Sequence, residues 1–157
     1  MEKTTKHVIL DKALELFSKK GYQAVTVAAI ASEVGIKAPS LYKHYKSKQD
    51  IFNAIVEEIQ NRYKSQMGFM QMNGIEASQD VNMMMNISEE HLIELGKQLF
   101  LYFLHDEYTR QFRKMMTIEQ FHDAHLANIY TKQYVDDPIA YQEELFKIFI
   151  GVLQASI

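Results

Sequence analysis

The sequence predicts an all-α fold. Apolar residues recur at three- and four-residue spacing in one segment after another, as helices with one buried face require. Residues suited to helix starts and stops punctuate those segments: Thr26, Ser47, Ser88 and Thr117 at starts, Gly21 and Gly35 at ends. No hairpin signal or internal repeat competes with this pattern, and the one biased tract is a run of methionines.

The first predicted helix covers about residues 4–20, with Ile9, Leu10, Ala13, Leu14 and Phe17 on one stripe. Lys19 and Lys20 occupy its last turn, where the helix dipole favours cations, and Gly21 ends it. Its role is packing; Lys3, Lys6 and His7 either reach a phosphate or form a solvated, frayed terminus. Thr26 caps a second helix over 27–34, with Ile30, Ala31 and Val34 on one face. Gly35 stops it, because glycine adopts a left-handed backbone at little cost. A third helix spans 39–45, with Pro39 in its first turn, where a missing N–H costs nothing. Leu41 and Tyr45, four apart, face inward; Ser40, Lys43 and His44 face outward, with Tyr42 at the edge. Two short helices crossing through a glycine-containing turn make a helix-turn-helix, whose second helix enters the major groove of DNA.

Ser47 begins a fourth helix that reaches Gln66, with Asp50 arranged much as in a capping box. Ile51, Phe52, Ile55, Val56 and Ile59 form its apolar face, so it connects the head to the rest of the molecule. Residues 67–87 hold six methionines, two glycines and two acids, and read as a helix end, a connector and the start of a further helix. Methionine fills irregular apolar space, as core filler or as an adaptable pocket lining. Ser88 caps a helix that carries Leu92, Leu95, Leu99, Phe100, Phe103 and Leu104 and should lie centrally. Helices over 107–115 and 118–132 follow, the latter capped by Thr117. Asp137–Pro138 reads as an N-cap followed by a first-turn proline, the start of the last helix. That helix, with Leu145, Phe146, Ile148, Phe149, Ile150, Val152, Leu153 and Ile157, is apolar nearly all round. Both its faces should therefore be covered.

Composition narrows the function. At 157 residues and 47% hydrophobic, the chain can bury a core as one domain or two small ones. It has no cysteine, which excludes disulfides, thiolate metal sites and cysteine nucleophiles. MEKTTKHVIL lacks the apolar core of a signal peptide, and the run Leu99 to Leu104 is far short of the ~20 residues a membrane helix needs. A soluble cytoplasmic protein without membrane contact is expected. Net charge is −3, but residues 1–50 hold nine lysines against five acids, while the remainder holds eight basic residues against fifteen acids. A basic head on an acidic body suits contact with DNA. Glu119, His122 and His125 lie three apart but drift around their predicted helix, so no metal site and no cofactor are expected. No phosphate loop, zinc-protease motif or nucleophile elbow appears, and the chain is not expected to be an enzyme.

From about Ile9 to about Ile55 the sequence resembles the DNA-binding domain of tetracycline-repressor-type (TetR) transcriptional regulators. Phe17, Gly21, Tyr22, Thr26, Ile30, Ala31, Val34, Gly35, Ser40, Leu41, Tyr42, His44, Tyr45, Lys48 and Ile51 carry the resemblance. It implies a helix-turn-helix DNA-binding domain at 1–47 and a helical effector-binding and dimerisation domain at 48–157. It also implies one further long helix beyond Ile157. The DNA contacts it implies are Thr26, Lys37, Ala38, Pro39, Ser40, Tyr42, Lys43, His44 and Lys48. Thr26, Tyr42, His44 and Lys48 suit phosphates, whereas Lys37, Ser40 and Lys43 suit base edges and Ala38 and Pro39 a thymine methyl. The expected partners are near-palindromic operator DNA, a second copy of the chain joined through the last helix, and a small apolar effector. Candidate pocket residues are Met67, Met70, Phe100, Phe103, Met115, Met116 and Phe121. The expected function is a dimeric transcriptional regulator, of repressor type, released from its operator by that effector. The alternative is a helical interaction module or small enzyme on the same scaffold.

Overall fold

A computed structural model describes residues 4–155, Leu153 and Ala155 by backbone alone. Lys3 and Ile157 lie outside the described residues, as does the Leu153 side chain. The described residues form nine α-helices and no strand. They are α1 (Thr5–Lys20), α2 (Val27–Val34), α3 (Ala38–Leu41), α4 (Lys48–Phe69), α5 (Ala77–Met85), α6 (Glu89–His105), α7 (Glu107–Glu119), α8 (Ala124–Thr131) and α9 (Asp137–Ala155).

Local side chains set most of the starts. Thr26 Oγ1 accepts the Ala29 N–H at 3.1 Å, Ser47 Oγ the Asp50 N–H at 3.0 Å and Ser88 Oγ the His91 N–H at 3.3 Å. The Asp50 carboxylate reaches back to the Lys46 N–H at 3.0 Å, one residue before the cap.

Four expectations are corrected. The third helix is α-helical only over Ala38–Leu41; beyond it the Lys43 and His44 N–H groups bond three residues back, which tightens the chain. Thr117 caps nothing: its hydroxyl donates to the Arg113 carbonyl at 2.8 Å, so α7 runs on to Glu119. The cap of α8 is instead Asp123, whose carboxylate accepts the His125 and Leu126 N–H groups at 2.8 and 3.2 Å. The last helix does begin at Asp137, as α9, but Asp137 is no N-cap: its own backbone is helical (φ −64°, ψ −44°), because α8 passes through a π-helical turn (Lys132–Asp136) directly into α9. That turn bonds the Asp137 N–H to the Lys132 carbonyl, a wider register of the kind used beside a proline that cannot donate. Lastly, α6 is peripheral. Leu95 is its one buried residue, while Leu92, Ile93, Phe100, Leu101 and Leu104 are exposed.

The main core crosses from head to body. Ile9, Leu14 and Phe17 of α1, Ile30 of α2, Leu41 of α3 and Ile51, Phe52 and Ile55 of α4 form one cluster with Tyr108, Phe112, Met115 and Met116 of α7 and Leu126 of α8. A second, smaller cluster gathers Met67, Met70 and Leu95, with Tyr63, Met72, Met83, Ile87 and Leu99 around them. Buried Asp80 joins the 70s loop to α9: it accepts the Asn73 and Gly74 N–H groups and the Tyr141 hydroxyl, each at 2.8 Å. No described helix is long and apolar enough to cross a membrane.

Candidate nucleic-acid interface

The turn between α2 and α3 is built by Gly35. Its φ of +78° and ψ of +25° are left-handed, and the Ile36 N–H reaches back to the Ala31 carbonyl at 3.0 Å, closing the helix end. Leu41 and Tyr45 then anchor α3 from beneath, at 0% and 6% exposure. Burial, with Glu57 and Glu58 adding to it, pushes the Tyr45 hydroxyl up to about 12. With that side pinned, the opposite side faces out. Thr26, Lys37, Pro39, Tyr42, Lys43 and His44 are exposed; Ala38 and Ser40 are half-buried between them. Tyr42 is 51% exposed, so it does not pack in the core. The structure thus brings eight of the nine sequence-predicted contacts to one short stretch, Thr26 leading α2 and the rest on or beside α3.

Lys48 is placed differently. Its ammonium donates to the carbonyls of Tyr22 (2.8 Å), Val25 (3.0 Å) and Gln23 (3.4 Å), and it sits 4.3 Å from the centroid of the Tyr22 ring. Partial burial lowers its pKa from the ordinary value, and the Glu119 carboxylate opposes that shift. All three ammonium protons therefore serve the loop between α1 and α2. The Tyr22 ring stacks edge-on between Phe17 and Phe52, at centroid distances of 5.1 and 5.3 Å, and its hydroxyl donates to Gln49 Oε1 at 3.1 Å. Glu119, at the end of α7, enters the same place: its Oε1 accepts the Tyr22 N–H at 2.8 Å. It is turned into the head, away from the exposed His122 and His125. Sequence reasoning weighed Glu119 only as a metal ligand and missed this contact.

Residues 9–55 match the family described as bacterial regulatory proteins, tetR family. They form a TetR-family helix-turn-helix domain. Over 58 residues the chain is 43% identical to the biofilm operon icaADBC negative transcriptional regulator IcaR of Staphylococcus epidermidis, covering 37% of this chain and 31% of that protein. It is 46% identical over 52 residues to IcaR of Staphylococcus aureus strain Newman, covering 33% and 28%. It is 37% identical over 54 residues to the transcriptional repressor ComR of Escherichia coli, covering 34% and 26%. The similarity thus spans less than a third of each relative, and these relatives are regulators rather than enzymes by their names.

Beyond the TetR-type domain, the seven candidate pocket residues do not meet. Met115 and Met116 are fully buried in the core shared with the head, and Met67 and Met70 are buried in the second cluster. Phe103 is half-buried against Tyr63 and Tyr102, whereas Phe100 and Phe121 are exposed. The body instead carries an open groove of about 450 Å³ between α4 and α6, lined by Glu58, Asn61, Arg62, Ser65, Gln66, Phe69, Tyr102 and Asp106. None of the seven lines it. Most of its lining residues are polar or charged, with Phe69 and Tyr102 adding aromatic surface. Arg62 lies 2.8 Å from Glu58, 3.7 Å from Asp106 and 4.3 Å from the centroid of the Tyr108 ring.

Proposed function

We propose that this chain is a DNA-binding transcriptional regulator of repressor type, acting as a homodimer on a near-palindromic operator. One observation carries the reading: a TetR-type domain leaves Lys37, Pro39, Tyr42, Lys43 and His44 bare on one side while Leu41 and Tyr45 pin the other. Lysines on an exposed rod match phosphates and guanine acceptors, and Thr26 at the start of α2 suits a phosphate. The relatives named as a negative regulator and a repressor favour repression.

Two apolar stripes support pairing. On α6, Ile93, Phe100 and Leu104 are exposed; on α9, Ile139, Phe146 and Ile150 are exposed at the same spacings of seven and four. Such stripes on a soluble surface favour a second apolar partner. A second copy would set two heads on one duplex, ~34–36 Å apart or a multiple. The groove beside α4 is the site we assign to an effector, which acts by binding one spacing of α4 and α6 better than another. A coupling of roughly 1–3 kcal/mol changes DNA affinity about 5–150-fold.

The test is binding to fragmented genomic DNA across a salt series. Affinity should fall steeply with salt. Lys43→Ala should lower the slope of log affinity against log salt by about one, or relax preference at one base position. No binding at low salt overturns the reading.

A further inference from the structure

The backbone of Tyr22 is gripped from two sides. Glu119 Oε1, on α7, takes its N–H at 2.8 Å, and Lys48 Nζ, on α4, takes its C=O at 2.8 Å. Lys48 also holds the carbonyl of Val25, the residue just before the Thr26 cap of α2. Gly21 makes room for the grip: at its φ of +81°, a Cβ would stand 2.9 Å from the same Glu119 oxygen. Only 2% of Glu119 is exposed, and its Oε2 has no hydrogen-bond partner among the described residues.

A buried carboxylate with one oxygen unmatched carries a desolvation cost that its single hydrogen bond to the Tyr22 N–H offsets only in part. Its placement suggests another use. Glu119 ends the helix whose Tyr108, Phe112, Met115 and Met116 share the core with α1. Any slide or roll of α7 therefore moves Glu119 against Tyr22, and the loop it holds leads straight into Thr26.

We propose that Glu119 is a positioning residue for DNA binding: together with Lys48 it fixes the 22–25 loop, sets the start of α2, and transmits the position of α7 to the DNA-facing helices. This rests on the DNA-binding reading above. Lys48 acts in the same device, spending its donors on the loop rather than on phosphate.

The test compares wild type, Glu119→Gln and Glu119→Ala in binding to a duplex that the wild type selects from genomic DNA. Amide hydrogen exchange at Tyr22 is measured without DNA. Glu119→Gln keeps an acceptor and should bind within about threefold of wild type, whereas Glu119→Ala should bind about tenfold more weakly and exchange its Tyr22 amide faster. Glu119→Ala binding as tightly as wild type despite faster exchange would reduce Glu119 to a structural contact and overturn the proposal. Equal losses in both variants would overturn it too. If Glu119→Ala does not fold, Glu119→Asp takes its place: its shorter side chain withdraws the acceptor from the Tyr22 N–H, so it should exchange that amide faster and bind about tenfold more weakly, and unchanged affinity overturns the proposal. A wild type that selects no duplex removes the DNA-binding reading itself, and this proposal with it, a failure distinct from any seen only in the variants.

Discussion

Gly35 shows how a single residue governs the DNA-facing side. Its left-handed backbone is closed to a branched side chain, although nothing lies within 4 Å of the position a Cβ would take. The cost of substitution is therefore one of backbone. Gly35→Val should lower unfolding free energy by about 1–2 kcal/mol, with Gly35→Ala costing less. Urea unfolding of the two variants checks this; an unmoved midpoint for the valine variant would mean the turn does not depend on that conformation. Residues like Gly35, the Thr26 cap and the inward pair Leu41 and Tyr45 are legible in sequence because their partners lie within a few positions. The grip on Tyr22 is not: Glu119 is 97 residues away, and Lys48 reaches back 26 to bond the Tyr22 carbonyl. Nothing in local spacing marks a lysine as tied to carbonyls rather than free for phosphate.

Among the elements, α7 joins head and body. It buries Tyr108, Phe112, Met115 and Met116 in the core that α1 and α4 also line, with Phe112 at 0% exposure. Phe112→Ala should cost about 3–5 kcal/mol, as truncation of a buried aromatic does. Since the core crosses the head–body boundary, helix content and tyrosine fluorescence should unfold together in that variant. A body that melts while the head stays folded would instead show two independent cores. Periodicity located these helices well, since it reports which face is apolar. It misjudged their ends where two local options competed. Thr117 bonded back into its helix instead of capping the next, and Asp137 follows a π-helical turn with helical backbone instead of capping α9. Both choices depend on what the neighbouring helix packs against, which the sequence window does not contain.

For the whole molecule, the tyrosines set an alkaline limit. Tyr45 is raised from 10.0 to about 12 chiefly by burial, and burial also raises Tyr22, Tyr63 and Tyr102. Well below pH 10 these four tyrosines are protonated in both states; above it the unfolded chain releases protons that the folded chain keeps at these positions. Stability should thus fall as pH rises from 10 towards 12, with tyrosinate absorbance appearing together with loss of helix. Tyr45→Phe should lessen that fall, and an equally steep fall in the variant would contradict it.

At the same scale, an apolar helix in sequence does not say whose surface covers it. In sequence α6 reads as central and α9 as covered on both faces, yet within one chain Phe100 stays 63% exposed and Phe146 62%. Two matching stripes of this kind cost solubility unless another surface takes them, and an isologous pair of copies needs only one self-complementary patch. Phe146→Asp places a charge in the middle of that patch and should weaken self-association by about thirtyfold or more. Sedimentation of wild type and variant measures it. Weaker pairing should also shorten the operator bound at a given concentration to a half-site, because each head has few contacts of its own. A variant that sediments like the wild type would move the pairing surface away from α9, and with it the geometry that lets two heads face one duplex.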